Sequence, residues 1–109
     1  MNNKVNMDIK KLFSNVAGNN KILALMEYND LLNNKTTIIN SNKNKMGIYL
    51  WFNNLTKDFY VGSSVNLSRR LLTYFTESYL IHPKNKNMII CKSLIKYSYD
   101  NFSLAPRGA

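Results

Sequence analysis

Gly47-Ile48-Tyr49-Leu50-Trp51-Phe52 is a run of β-formers, Asn53 to Asp58 is turn chemistry, and Phe59-Tyr60-Val61-Gly62 resumes the β pattern. Residues 47–62 therefore read as a β-hairpin. If Phe52 pairs with Phe59, antiparallel pairing keeps a constant index sum, so Trp51 opposes Tyr60 and Tyr49 opposes Gly62. Tyr49, Trp51, Tyr60 and Gly62 then share one face. A glycine opposite Tyr49 is expected to leave open space beside the phenol.

After Gly62-Ser63-Ser64, Asn66 is a good N-cap, and Leu67, Leu71, Tyr74 and Phe75 recur at helical spacing. This predicts a helix over 67–78. Arg70 falls one turn into it, and the Gly62-Ser63-Ser64 turn is expected to offer backbone N–H groups to a phosphate. His82-Pro83-Lys84-Asn85-Lys86 breaks the pattern, and Asn87 can cap a second helix with Ile90, Cys91, Leu94, Ile95 and Tyr97 as its apolar stripe. Phe102-Ser103-Leu104 begins a third strand. Ala105-Pro106 is expected to stop it, since proline cannot donate to a sheet ladder. Ile48, Leu50, Phe52, Val61, Leu71, Phe75, Leu94 and Ile95 are the expected core. His82 reads as an exposed loop residue and Cys91 as core.

Upstream, Leu12, Phe13, Val16, Ile22, Leu23, Met26, Leu31 and Leu32 fit two short helices, or one broken at Gly18-Asn19-Asn20. Residues 1–32 then form a helical extension that packs without chemistry. A transit peptide fits less well, because this stretch contains Asp8, Glu27 and Asp30 and no arginine. Residues 33–45, NNKTTIINSNKNK, read as an Asn/Lys-rich linker, with the domain boundary there.

The 109 residues suit one domain, and fifteen Lys+Arg against six Asp+Glu give +9 and a pI near 9.8. That balance points to a polyanion, nucleic acid first. The charge is shared, +4 over 1–45 and +5 over 46–109, so neither half is a basic tail. One cysteine excludes an internal disulfide, and one histidine excludes zinc-finger spacing. Apolar runs such as Met46 to Phe52 fall far short of the roughly 20 residues of a membrane span, so a soluble chain is expected. Asparagine supplies 18 of the 109 residues. With Lys, Ile, Leu and Tyr also common, this is the bias of AT-rich codons, as in fungal mitochondrial genomes, and gives mitochondrial localisation as the expectation.

Gly47-Ile48-Tyr49, Tyr60-Val61-Gly62 and Arg70, in that order and spacing, resemble the signature of the GIY-YIG nuclease family. The wider runs Asn42 to Tyr49 and Tyr60 to Arg70 resemble fungal mitochondrial intron-encoded homing endonucleases. The likeness covers about residues 42–104. It implies an α+β fold, a small antiparallel sheet flanked by helices, and hydrolysis of a DNA phosphodiester with one divalent ion, Mg²⁺ or Mn²⁺. Carried over by position, Tyr49 orients or deprotonates the attacking water, Tyr60 supports it by hydrogen bonding, and Gly62 permits close packing. Arg70 neutralises charge on the scissile phosphate. Tyr74 stands where many members carry a histidine.

Ser63, Ser64, Arg69, Lys84, Lys86 and Lys92 are the expected DNA-phosphate contacts. The family's metal-binding glutamate lies beyond the third strand and has no counterpart here. Asp58, Glu77 and Asp100 read as surface carboxylates, so no metal ligand is assigned. On this reading 46–104 is an incomplete nuclease-like domain with a truncated third strand, weak or inactive alone, and 105–109 is an unrelated tail. The alternatives are a non-catalytic DNA-binding remnant and an RNA-binding intron-splicing accessory, the latter pointed to by charge and by aromatics such as Trp51 taken as exposed.

Overall fold

The computed structural model describes residues 27–108, so most of the helical extension expected over 1–32 lies outside the described residues. Strand β1 (Gly47–Asn53) and strand β2 (Phe59–Ser64) form the hairpin in the expected register, with Phe52 opposite Phe59, Trp51 opposite Tyr60 and Tyr49 opposite Gly62. The Asn53 side chain organises the turn. Its Oδ1 accepts from the backbone N–H of Leu55 (2.9 Å) and of Thr56 (3.1 Å).

The third strand differs from expectation. β3 (Phe102–Gly108) pairs antiparallel with β1 along its whole length, from Asn53 opposite Phe102 to Gly47 opposite Gly108. It runs on past Leu104, the expected stop, and Ala105 to Gly108 belong to the sheet rather than to an unrelated tail. The strand order is β2-β1-β3. Pro106 is tolerated because of which way its nitrogen points. Leu104 exchanges backbone hydrogen bonds with Tyr28 (2.8 and 3.0 Å) on the side of β3 away from β1. Backbone groups two residues apart point the same way, so the Pro106 nitrogen also faces outward and removes no bond to β1.

The 33–45 stretch is likewise more than a linker. It contains helix α1 (Lys35–Ser41), whose Ile38 is fully buried along with Leu31. Asn42 Nδ2 donates to the Ile38 carbonyl at 2.7 Å and ties off its end. A seven-residue helix with two isoleucines is too short for periodicity to reveal.

The single helix expected over 67–78 is two, α2 (Leu67–Tyr74) and α3 (Glu77–Ile81). Threonine hydroxyls divide them: Thr73 Oγ1 donates to the Arg70 carbonyl (2.6 Å) and Thr76 Oγ1 to the Leu72 carbonyl (2.9 Å). These bonds satisfy carbonyls at the end of α2, and Thr76 turns to an extended conformation before α3. Helix α4 (Ile89–Tyr97) follows, with Met88 rather than Asn87 at its N-cap. A 3-10 turn (Tyr99–Asn101) leads into β3.

The helices cover the face of the sheet that bears Tyr49 and Trp51. Trp51 is fully buried, edge-on to Tyr74 (5.7 Å) and Phe102 (6.1 Å). Around this centre pack Leu67, Leu71, Phe75, Leu80, Ile90, Cys91, Leu94 and Leu104. On the opposite face Leu50, Phe52 and Ala105 are also buried. Of the expected core, Leu50, Phe52, Leu71, Phe75 and Leu94 are buried and Ile48 is half-buried, whereas Val61 and Ile95 are 42% and 50% exposed. Val61 lies on the edge strand β2, where Phe59, Val61 and Ser63 are all exposed.

Candidate active site

Strand pairing places Tyr49 across from Gly62, and the gap left by the missing side chain is filled by the tyrosine itself. A Cβ on Gly62 would lie 2.3 Å from Cζ and from Oη of Tyr49. The glycine therefore seats the ring rather than leaving open space. Tyr49 is buried, and its Oη lies 3.0 Å from Oη of Tyr74 on α2, with the two rings 5.7 Å apart. A strand and a helix thus present a pair of phenols to each other.

Burial pushes the Tyr74 phenol far above its usual range, and the hydrogen bond and the charge on Tyr49 add to this, as does Tyr79. The Arg70 guanidinium, one turn earlier on α2, pulls the other way and does not prevail. Tyr74 is therefore a neutral hydroxyl near pH 7, able to donate to Tyr49. Tyr60 takes a different partner: its hydroxyl donates to Ser93 Oγ on α4 at 3.2 Å.

Arg70 is exposed, and its Nη1 donates to Oη of Tyr79 on α3 at 3.3 Å. With Arg69, Ser64, Val65, Asn66 and Thr73 it lines an open groove of about 450 Å³. Gly62 to Ser64, expected to form a turn with amides open to a phosphate, belong instead to strand β2, and three amides at the entry to α2 are engaged within the protein. The N–H of Asn66 goes to Ser64 Oγ (3.0 Å), of Leu67 to the Lys45 carbonyl (2.9 Å), and of Arg69 to Asn66 Oδ1 (3.2 Å). The Ser64 hydroxyl is itself spent on the Asn66 carbonyl. The cationic groups that line the groove are the guanidinium groups of Arg69 and Arg70 among the described residues.

The structure thus gathers Tyr49, Gly62, Tyr74 and Arg70, with Arg69 and Ser64 along the adjoining groove. Ser63 is exposed on β2; Lys84 and Lys86 sit in the turn between α3 and α4, and Lys92 on α4, all three exposed and outside the groove lining. His82 is exposed and Cys91 buried, as expected. Sequence reasoning missed Tyr79 and Ser93. Ser93 had a signal, a polar residue amid the buried positions of α4. Tyr79 had none, because its place depends on the break after Phe75.

Asp58, Glu77 and Asp100 are all exposed, and among the described residues no three His, Cys, Asp or Glu side chains group together. Hard divalent cations require a set of oxygen ligands rich in carboxylate. The phenols and guanidinium groups gathered here do not by themselves fit such an ion.

A tyrosine-bearing hairpin, a glycine that admits the phenol and an arginine helix define a nuclease catalytic module. The chain belongs to the GIY-YIG family, whose catalytic domain matches residues 45–102. GIY-YIG nucleases are generally dependent on a divalent metal. The chain is also similar to UvrABC system protein C of Bifidobacterium longum strain DJO10A, 33% identical over 69 residues, 63% of this chain and 9% of that protein. The same figures hold for the protein of strain NCC 2705. The chain thus spans about a tenth of the length of these curated relatives. No solved structure matches the chain significantly.

Proposed function

We propose that this chain is the catalytic module of a homing endonuclease of the mitochondrial intron-encoded kind, acting on phosphodiesters of duplex DNA. The observation that carries the chemistry is the Tyr49–Tyr74 phenol pair, seated over Gly62 and adjoining the arginine groove. Support for the homing role is the likeness of the runs Asn42 to Tyr49 and Tyr60 to Arg70, and the asparagine-rich composition of an AT-rich organelle genome.

Phosphodiester hydrolysis needs an oriented nucleophile and a countercharge for the pentavalent state. The hydrogen bond between the Tyr74 and Tyr49 hydroxyls fixes the Tyr49 oxygen, which then holds the attacking water. Arg70 supplies the countercharge from the groove wall, and Arg69 holds a neighbouring phosphate. Ser93 fixes the Tyr60 ring against α4. The RNA-binding alternative loses its main feature, since Trp51 is fully buried and cannot stack on a base.

The test is nicking of supercoiled plasmid with Mg²⁺ or Mn²⁺. Weak nicking is expected, and Tyr49→Phe and Arg70→Ala should each lower it by about 100-fold, equivalent to roughly 2.7 kcal/mol of barrier. Nicking that survives both substitutions would overturn the site. Failure to bind duplex DNA at low salt would overturn the substrate.

A further inference from the structure

We propose that Tyr79 is a positioning residue for Arg70, holding the guanidinium at the groove wall beside the phenol pair; this rests on the nuclease reading of the same site. Arg70 is exposed and carries a long side chain. Left free, it would sample many rotamers, and ordering it at a phosphate would cost side-chain entropy. Among the described residues its side-chain partner is the Tyr79 hydroxyl, which accepts from Nη1 at 3.3 Å.

Tyr79 is itself well fixed. Its ring stands edge-on to Tyr74, 6.0 Å between centroids at 79°. Its backbone N–H donates to the Thr76 carbonyl at 3.0 Å, and its own carbonyl accepts from Asn85 Nδ2 at 3.0 Å. Both ends of α3 are thereby tied down around this residue. The break between α2 and α3 is what brings Tyr79 to Arg70, since nine residues along one straight helix would put it two and a half turns away. Tyr79 touches Arg70 through its hydroxyl and Tyr74 through its ring. It links the countercharge to the phenol pair without reaching the reacting atoms.

A half-buried tyrosine on a short helix could also serve packing alone. Tyr79→Phe separates the two roles, because it keeps the ring and removes the acceptor. The first measurement is ¹⁵N NMR of arginine side chains in the free protein, with Arg69 as internal reference. Positioning predicts that Tyr79→Phe moves the Arg70 Nε–H resonance toward the free-arginine value and lowers its order parameter, while Arg69 is unchanged. An unaltered Arg70 signal overturns the proposal.

The second is a double-mutant cycle in binding of a duplex oligonucleotide. Tyr79→Phe is expected to weaken binding by about threefold to tenfold, the range for loss of one ordinary hydrogen bond, and to have no effect once Arg70 is alanine. Equal weakening in both backgrounds would mean packing only, and would also overturn the proposal. If wild type and Arg70→Ala bind DNA equally, the nuclease reading of Arg70 fails, whereas the NMR result still decides whether Tyr79 holds it.

Discussion

At the scale of single residues, Gly62 and Tyr49 are mutually dependent, because the ring occupies the volume a side chain at 62 would need. Gly62→Ala cannot be absorbed by moving a free side-chain end, since the Tyr49 ring is buried and hydrogen-bonded to Tyr74. The expected cost is about 1–3 kcal/mol by chemical denaturation, with loss of any nicking activity, as for an overpacked core site. An unchanged midpoint would show that the ring has somewhere else to go.

The tyrosines also predict a pH response. Tyr99, whose hydroxyl bonds the Tyr74 carbonyl, is pushed up to about 12, chiefly by burial and then by the charges of Cys91 and Glu77. An acid with a raised folded-state value holds its proton more tightly when folded, so its contribution is complete below pH 10 and is lost as pH rises toward 12. Tyr74 acts in the same direction. Denaturation midpoints should therefore be insensitive to these groups from pH 7 to 9 and fall from pH 10 to 12. The fall should be smaller in Tyr99→Phe, and an equal fall would contradict the assignment. The residues with a chemical signature were legible in the sequence, since Tyr49, Gly62 and Tyr60 follow from one register. Partners such as Tyr79 were not, because they are set by helix ends that depend on where two threonine hydroxyls point.

At the scale of elements, the folded unit is larger than the matched family domain. That domain spans residues 45–102, yet Leu31 and Ile38 are fully buried in the same core, and Tyr28 extends the sheet at Leu104. Leu31→Ala and Ile38→Ala should each cost about 2–5 kcal/mol, as Leu71→Ala should, by thermal or urea unfolding. Costs under about 0.5 kcal/mol at 31 and 38, with a full cost at 71, would show α1 to be an appendage. The hairpin was legible because its turn is local and its β-formers are strong. The reach of β3 was not, because the rule that proline ends a strand holds only when its nitrogen faces a neighbour, and Tyr28, 76 positions before Leu104, reveals which side that is. The same locality hid α1, whose two isoleucines gain meaning only from the core they enter.

For the molecule as a whole, charge governs encounter with DNA more than any one contact. The excess of nine cations is spread over both halves of the chain, while among the described residues the groove is lined by two of them, Arg69 and Arg70. If the exposed Lys84, Lys86 and Lys92 also reach phosphates, roughly three to five contacts are made. Binding should fall with log salt at a slope of about −3 to −5, near −0.9 for each phosphate neutralised. Reversing Arg69 alone, as Arg69→Glu, should flatten that slope by about 1 or more. A salt-independent affinity would rule out this mode of binding.

The order of strands in the sheet bears on how the chain is made. β1 is central, yet its two neighbours are very unequal in separation: β2 follows after a short turn, whereas the first residue of β3 comes 49 positions after Asn53, its partner. A ribosome adding about 5–20 residues per second takes roughly 3–10 s to reach it. Through that interval β1 has one side zipped and the other bare, an adhesive surface for any extended neighbour. The nascent protein is thus most prone to aggregate after its signature motif is complete and before Phe102 to Gly108 can close over it.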